Sequence, residues 1–567
     1  MPKPIADLHC HPSLKPHLNE AIESIWDFRE NPTVDEIFKL VSIRKLALRG
    51  MAHKMALKTQ CNLDSCFEGG NRLVFCSIYP FEREFMRPDR PFKRAALLIK
   101  WALQMLLRKR YKKGVDSKLI RLITGISSGA ISRFLDLIHT PGGRAAYLED
   151  FRREFQYLVA AQGPRPKGRL GTVLPEFRLV NRVADLPGPE DQKTIAGIVT
   201  VEGVHAFGDY PVEILRQEKA FEELEAADQR VLRDSFRTNL ATLKDPGQTD
   251  FIPFFITFSH HFNNFLGGHA KSFAGLFSVV FNQQPGRNKG LSSLGREVIQ
   301  QLLRRSPQQA RILVDTKHMS PVMRKQYYAL VTDLRRAGDE VPILSSHTAV
   351  NAIGTLEEAA QNNNSKAGER RSYVSKFEIN LTDEDIREIC DSGGLIGICM
   401  HDGRMPGKKF KRKLRAVRAH PEKAKRLYSQ MFLTNIFHAV KVAARHLEAK
   451  GRAQGVAPNP LTAWDLVCLG SDNDGIVDPF NTYETAADLG AFRDKMVEAL
   501  KTQDRPYMED FRILSLPEER PFTAEEFERL MMGQSPEQLA DRIFYDNVRG
   551  FLERYFTDAY RFGGVVV

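Results

Sequence analysis

Eight short apolar runs, each ending on a polar side chain, constrain what this chain can fold into. They read PIADLHCH (4–11), RLVFCSIYP (72–80), IAGIVTVEGVH (195–205), IPFFITFSHH (252–261), ARILVDTKH (310–318), VPILSSH (341–347), GLIGICMHD (394–402) and DLVCLGSDND (465–474). Near-continuous Val, Ile, Leu and Phe runs are typical of parallel strands buried on both faces. Helical patterns separate most of them, so the sequence predicts an α/β fold, a (β/α)8 barrel. The C-terminal strand ends of that fold form the active-site face, where the polar residues are expected to converge.

Composition narrows the class of protein. The chain has 567 residues and is 42% hydrophobic, which is ordinary for a soluble globular protein. Its apolar runs are too short to span a bilayer, and no secretory signal precedes the first predicted strand. The seven cysteines include no CxxC pair, which favours buried, reduced thiols. We therefore expect a cytoplasmic protein without a transmembrane segment, with peripheral membrane attachment left open.

The net charge of +12 is concentrated in two segments. Residues 93–121 carry ten Lys and Arg against one Asp, and residues 404–426 carry eleven against one Glu. Such clusters are most often solvated faces. The first segment also has an apolar stripe, which leaves an anionic membrane surface or a second subunit of a homo-oligomer as alternatives. No nucleic-acid recognition motif is visible, so nucleic acid is not expected as a partner.

The predicted strands divide the chain into barrel and insertions. A βα connection is usually only a few residues long, so long interruptions indicate inserted elements. The division places barrel strands 1 and 2 in 1–83, a large basic helical insertion in 84–190, strands 3 to 7 in 191–402, a smaller basic insertion in 403–426, and strand 8 with the C-terminal helices in 427–567.

Six side chains at the predicted strand ends could bind metal: His9, His11, Glu202, His318, His347 and Asp472. Residues i and i+2 of a strand share a face, so His9 and His11 can hold one ion together. Imidazoles with carboxylates suit zinc or a similar first-row ion, and the set suffices for two ions if Glu202 bridges them. The alternative is that each residue separately satisfies a core hydrogen bond, which is a weaker explanation for several residues at matching strand ends.

The ordered set DLHCH, TQCNLDSCFEGG, VEGVH, SHHFNN, GLSSLGREVI, VDTKHMSPVM, PILSSHTA and GSDNDG resembles the membrane (renal) dipeptidase family, zinc metallopeptidases of the amidohydrolase superfamily. The resemblance covers about 1–82, 195–350, 380–400 and 465–476, and it leaves the long insertions outside. It implies a (β/α)8 barrel with two divalent metal ions, most specifically Zn²⁺. The implied reaction is cleavage of a dipeptide or similar small amide by a metal-bridging hydroxide.

The resemblance also implies residue roles. His9 and His11 would sit on one metal, His318 and His347 would hold the second, and Glu202 would bridge. Asp472 would shuttle a proton to the leaving amine, and His260 would bind substrate and stabilise the oxyanion.

Two positions depart from the family pattern. The second strand-1 ligand is commonly an aspartate, and here it is His11. The family also has an arginine shortly after the strand-6 histidine that pairs with the substrate carboxylate. Here that stretch reads GTLEEAAQNNN, and the nearest arginines are Arg370 and Arg371. Arg371 is therefore the residue predicted to bind the substrate in its place, and the missing arginine favours, as the alternative, an amidohydrolase that acts on another substrate.

Two further residues have two interpretations each. His205 either contacts substrate or has a structural role, and Asp315 either orients a ligand imidazole or caps a turn. Two rival functions also remain: an amidohydrolase acting on a non-peptide amide, ester or phosphoester, and a non-catalytic barrel whose insertions bind a membrane or a partner. Metal content distinguishes the last of these, since a binding module need not carry two ions.

Overall fold

The computed structural model describes residues 4–19, 22, 24–26, 59–86, 124–166, 174–188, 190–215, 217, 219–273, 281–362, 371–457 and 459–563. The basic segment 93–121 and Arg370 lie outside these residues. Within them, no helix is long and apolar enough to cross a membrane.

Eight parallel strands form the barrel predicted from the apolar runs. They are β1 (Ile5–Cys10), β2 (Asn71–Ile78), β3 (Thr194–Glu202), β4 (Phe255–Thr257), β5 (Leu313–Asp315), β6 (Leu344–Thr348), β7 (Leu395–Ile398) and β8 (Val467–Leu469). They hydrogen-bond in chain order from β1 to β8. Every residue of β1 and β3 is buried, as expected for strands covered on both faces.

The barrel closes where β8 meets β1. A parallel bridge joins Cys10 to Asn473, and the His11 amide donates to the Asn473 carbonyl over 2.9 Å. The Asp7 carboxylate accepts from the Ser471 amide at 2.8 Å. Because a closed barrel has no free edge, all eight C-terminal strand ends meet around one mouth.

The helices surround the barrel. They are α1 (Leu14–Leu18), α2 (Leu63–Glu68), α3 (Ser128–His139), α4 (Tyr147–Ala160), α5 (Val212–Leu215), α6 (Ala226–Lys244), α7 (Ser293–Leu303), α8 (Pro321–Arg336), α9 (Leu356–Asn362), α10 (Asp383–Asp391), α11 (Lys408–Ala416), α12 (Pro421–Gln454), α13 (Leu489–Lys501), α14 (Ala524–Met531), α15 (Pro536–Asp541), α16 (Asn547–Tyr555) and α17 (Asp558–Phe562). Several helices begin at a residue whose side chain accepts a hydrogen bond from the first turn. At α10 the Thr382 hydroxyl accepts from the Asp385 amide, and Asp385 accepts in return from the Thr382 amide, which is a capping box.

The described part of the insertion 84–190 packs against the mouth of the barrel. Glu154 of α4 accepts hydrogen bonds from the Ser13 hydroxyl at 2.7 Å and from the Tyr79 amide at 3.1 Å, and both partners follow barrel strands. A short strand, Glu176–Leu179, also pairs in parallel with β3. The division of the chain into barrel and insertions remains a prediction.

The seven cysteines are unpaired, and six of them are buried. Cys10 lies between His9 and His11, and strand alternation predicts that its thiol points away from them. Its Sγ points to the Phe75 carbonyl oxygen on the neighbouring strand, 3.7 Å away. The thiol therefore belongs to the apolar core.

Candidate metal centre

The mouth of the barrel holds a compact cluster of buried imidazoles and carboxylates. It contains the six residues predicted from the strand ends, namely His9, His11, Glu202, His318, His347 and Asp472, and none of them is more than 4% exposed. Four groups of side chains in and around the cluster have ligand atoms close enough to hold an ion, and two of these groups share Glu202. One of the two is His9, His11, Glu202 and Asp472, and the other is Glu202, His318 and His347.

Glu202 divides the cluster into two halves. Its Oε2 lies 3.0 Å from His11 Nε2 and 3.6 Å from His9 Nε2. Its Oε1 lies 3.4 Å from the Nε2 atoms of both His318 and His347. A carboxylate with one oxygen facing each pair of imidazoles has the arrangement of a bridging ligand between two cations.

Asp472 faces both halves from the end of β8. Its Oδ1 is 3.9 Å from His9 Nε2, and its Oδ2 is 3.8 Å from His347 Nε2. Burial and the nearby charge of Glu202 raise the pKa of Asp472 to about 6. A carboxyl group held between the two halves is placed to accept and return a proton.

The protonation states of His318 and His347 suit metal binding. Burial lowers the pKa of His318 and of His347 well below the usual imidazole range, so both rings are neutral and retain a lone pair. Burial opposes ionisation of Glu202, but the imidazoles of His260 and His9 hold its pKa well below the usual value. Neutral nitrogen donors around an ionised carboxylate are the ligands that zinc and similar ions take.

The buried polar atoms of the cluster also fit cations. Glu202 Oε1 makes no hydrogen bond, although it is fully buried and faces several nitrogens. His9 Nε2 and His11 Nε2 lie 3.1 Å apart, and His318 Nε2 and His347 Nε2 lie 3.4 Å apart. Divalent ions would satisfy the orphaned oxygen and these converging lone pairs together.

Ser346 orients one imidazole from each half. Its hydroxyl donates to Asp315 Oδ2 at 2.6 Å and lies 3.2 Å from His9 Nδ1 and 2.9 Å from His347 Nδ1. Because a hydroxyl has one hydrogen and the carboxylate takes it, both rings must donate from Nδ1 to the serine oxygen. Their Nε2 lone pairs are thereby directed into the cluster.

Asp315 combines the two roles that the sequence left open. Its Oδ1 accepts from the Lys317 amide at 3.0 Å and so stabilises the turn that presents His318. Its Oδ2 accepts from Thr257 and from Ser346, and through Ser346 it orients His9 and His347. Asp315 is therefore a supporting residue behind the candidate ligands.

Two cluster residues have strained backbones. His318 has a φ of 66° and Asp472 a φ of 63°, in the left-handed region that favours glycine. Such conformations cost about 1–3 kcal/mol each and persist where the surrounding structure demands them. Their occurrence at two strand ends of the mouth is typical of a functional site.

His260 lies beside the cluster and is held by a residue that the sequence analysis missed. Its Nδ1 is 2.7 Å from Glu82 Oε2, and its Nε2 is 3.4 Å from Glu202 Oε1. Burial opposes protonation of the ring, but Glu202 and Glu82 raise its pKa above the usual value. Glu82 Oε1 also accepts from the amides of His261 and Phe262, so it orders the whole loop.

The two remaining predicted residues lie apart from the cluster. His205 is buried, with Nε2 2.8 Å from the Pro80 carbonyl oxygen and its ring edge-on to Tyr147, contacts that suit a structural role. Arg371 is exposed. The contacts of neither residue connect it to the six cluster residues, and substrate binding by His205 or Arg371 stays a prediction.

Arg404 is a further charged residue at the mouth. Its place in the basic segment 404–426 predicts a solvent-exposed side chain, whereas it is only 8% exposed. Burial lowers the pKa of His318, and the positive charge of Arg404 lowers it further. Burial raises the pKa of Asp472, and the charge of Arg404 opposes that increase. The arginine therefore belongs to the candidate site.

The fold and cluster together define a (β/α)8 barrel with a candidate two-ion metal centre. No protein-family model matches the chain, and no curated protein does either. Among solved structures it is similar to a metallopeptidase from Rhodobacter sphaeroides liganded with a phosphinate mimic of L-Ala-D-Ala, with 13% identity, coverage of 98% of this chain and 99% of that one, and a TM-score of 0.41.

Two further solved structures are similar. One is the dipeptidase AC, a metallopeptidase of family M19, with 14% identity, 98% and 99% coverage, and a TM-score of 0.39. The other is the probable dipeptidase PvdM from Pseudomonas aeruginosa, with 13% identity, 91% and 98% coverage, and a TM-score of 0.36. At such low TM-scores these structures add no argument about activity, which depends on the geometry of the cluster.

Proposed function

We propose that this chain is a two-metal hydrolase of small amides, and most specifically a dipeptidase. The observation that carries the proposal is the position of Glu202, whose two oxygens face two separate pairs of imidazoles. His9 and His11 would hold one ion, His318 and His347 the other, and Glu202 both. Such a pair of ions, when bound, activates a water molecule near neutral pH and polarises the bond under attack.

The chain's own residues supply the remaining chemistry. Asp472 faces both halves of the cluster at 3.8–3.9 Å, so it can take a proton from the attacking water and pass it to the leaving nitrogen. His260 points Nε2 toward the cluster while Glu82 holds Nδ1. Because Glu82 takes the hydrogen of Nδ1, an N–H at Nε2 requires the protonated ring, which the raised pKa of His260 favours. That N–H would stabilise the negative charge that develops on the carbonyl oxygen.

Zinc is the ion that this donor set favours most. Four imidazole nitrogens and a bridging carboxylate are borderline-soft ligands, whereas magnesium and calcium take oxygen ligands almost exclusively. His11 replaces a carboxylate of the family pattern, which removes one negative charge and leaves the ions more electrophilic.

The proposal is tested by metal content and hydrolysis together. We expect protein that is stripped with a chelator and reloaded with zinc to contain two ions per chain and to cleave members of a dipeptide panel with L- and D-residues at the second position. Glu202→Gln should reduce the content to one ion or fewer and lower kcat/KM by about 10³-fold or more, because losing an ion removes several kcal/mol of transition-state stabilisation.

Glu154→Gln is the matched control. Glu154 is also a buried glutamate, but its hydrogen bonds go to Ser13 and Tyr79. This variant should keep two ions and full activity. Two ions and unchanged activity in Glu202→Gln would refute the two-metal proposal, and turnover of an activated ester with no dipeptide cleaved would refute the dipeptidase assignment.

A further inference from the structure

Arg404 carries a buried charge without a protein partner. The side chain is 8% exposed, and its Nε and Nη1 make no hydrogen bond. Across the residues that the structure describes, no carboxylate oxygen lies within 4 Å of its guanidinium. Burying an unpaired guanidinium is costly, so proteins keep one where a ligand completes it.

The backbone places Arg404 at the mouth of the barrel. Backbone hydrogen bonds to the ends of β6 and β8 hold the segment that follows β7. The Cys399 amide donates to the Thr348 carbonyl at 2.8 Å, and the Met400 amide donates to the Ser471 carbonyl at 3.3 Å. Asn380 Nδ2 then donates to the carbonyl oxygen of Arg404 at 3.1 Å. Arg404 therefore lies on a fixed segment between the ends of β6 and β8.

Lys317 adds a second buried basic side chain to the same region. It is 2% exposed and directly precedes His318 in the turn after β5. Burial and the charge of Arg404 lower the pKa of Lys317 to about 7, and both side chains are attracted to Asp472. A buried, charged guanidinium with a buried amine near it forms a site for an anion.

We propose that Arg404, with Lys317 beside it, binds an oxyanion of the substrate, a carboxylate or a phosphoryl group, next to Asp472. A guanidinium presents a planar fork of N–H donors that matches two oxygens of such a group, and the Lys317 amine adds further N–H donors. The assignment to substrate rests on the proposed function, whereas anion binding at Arg404 does not. Arg404, in the segment after β7, would thus bind the charged end of the substrate.

Anion binding is tested on metal-free protein. We expect sodium acetate or sodium phosphate, compared with chloride at equal ionic strength, to raise the Tm of the wild type. The increase should be lost in Arg404→Met and reduced in Lys317→Met. Arg418→Met, which removes an exposed arginine of the same basic segment, should keep it. No protection in the wild type, or full protection in Arg404→Met, would overturn the proposal.

The Tm without anions separates a binding role from a structural one. Replacing an unpaired buried charge by an apolar side chain of similar length is neutral or stabilising. Arg404→Met should therefore unfold at the wild-type Tm or above it. A marked decrease would show that Arg404 holds the fold together, which contradicts the assignment.

The substrate is tested on zinc-loaded protein with Ala-Ala and its C-terminal amide. Arg404→Met should lower kcat/KM for Ala-Ala by about 10²-fold and leave the amide within about threefold. An equal decrease in kcat/KM for Ala-Ala and for its amide would overturn the proposed anion site and leave the hydrolase proposal intact. If neither peptide is cleaved but Arg404-dependent anion protection holds, the anion site stands and the dipeptidase proposal fails; protection by phosphate alone would identify the anion as a phosphoryl group.

Discussion

Replacing Ser346 by alanine is expected to weaken metal binding on both sides of the centre. The Ser346 hydroxyl accepts from the Nδ1–H groups of His9 and His347, which belong to opposite halves of the cluster. It also donates to Asp315, which keeps a second bond from Thr257. Ser346→Ala removes these contacts without touching a ligand.

The magnitude follows from the hydrogen bonds that are lost. Two buried N–H donors are left without an acceptor, at about 1–3 kcal/mol each in the metal-free fold. Loss of such a supporting partner typically lowers metal affinity about 10- to 100-fold, which corresponds to about 1.4–2.7 kcal/mol. Because one ligand of each half is released, we expect both ions to bind more weakly by this factor.

The assay is competition for zinc with a chromophoric chelator, followed by elemental analysis. Ser345→Ala is the matched control, because Ser345 is the preceding residue of the same strand, is equally buried and makes no hydrogen bond through its hydroxyl. Ser345→Ala should bind zinc as the wild type does. Equal zinc affinity in Ser346→Ala and Ser345→Ala would refute the conclusion that Ser346 orients His9 and His347 for metal binding.

Three further changes have defined outcomes. Glu82→Gln should lower kcat about 10- to 100-fold with two ions retained, because the contact that holds His260 Nδ1 is weakened. The value of kcat and the metal content are measured on zinc-loaded protein, and loss of metal would contradict this prediction. Burial raises the pKa of Glu154 from 4.5 to about 7, so its contribution to stability is complete below pH about 4.5 and is lost as the pH rises through about 7. We therefore expect the free energy of unfolding of the wild type to fall between pH 5 and pH 8 relative to that of Glu154→Gln, by about 3 kcal/mol at most. Parallel changes with pH in the two proteins would contradict this prediction. His11→Asp should still take two ions and should bind manganese better relative to zinc, because a carboxylate is the harder ligand; a competition experiment that shows an unchanged ratio would count against this.

The barrel strands were predictable because both faces of a parallel strand are buried. Each of the eight apolar runs overlaps an observed strand, and the resemblance to the membrane dipeptidase family implies the same barrel. Three observed strands, Phe255–Thr257, Leu313–Asp315 and Val467–Leu469, are only three residues long. Beyond them the backbone turns toward the mouth, which an apolar pattern does not indicate.

The candidate ligands were predictable from their positions, whereas their supports were not. His318 and His347 end apolar runs, and the closed barrel brings such ends together. Ser346 is an unremarkable strand residue in the sequence, and Glu82 lies in a loop. Their roles depend on which side chains lie opposite them across the mouth, and a single sequence does not contain that information.

Arg404 shows how composition can mislead. Its position in a run of basic residues indicated a solvated surface, which is the usual environment of such a run. The backbone hydrogen bonds of Cys399 and Met400 draw this end of the run into the mouth, while α11 continues as a largely exposed basic helix. The burial of one residue in a charged run depends on where the chain turns.

By itself, the amino-acid sequence determined the barrel and the identity of the side chains at its mouth, because strand burial and strand ends are local properties of the chain. Only the tertiary structure decided how those side chains pair. It placed the two oxygens of Glu202 toward separate imidazole pairs, set Ser346 between His9 and His347, and left Arg404 buried without a partner. These are distances between residues far apart in the chain, and closure of the barrel fixes them.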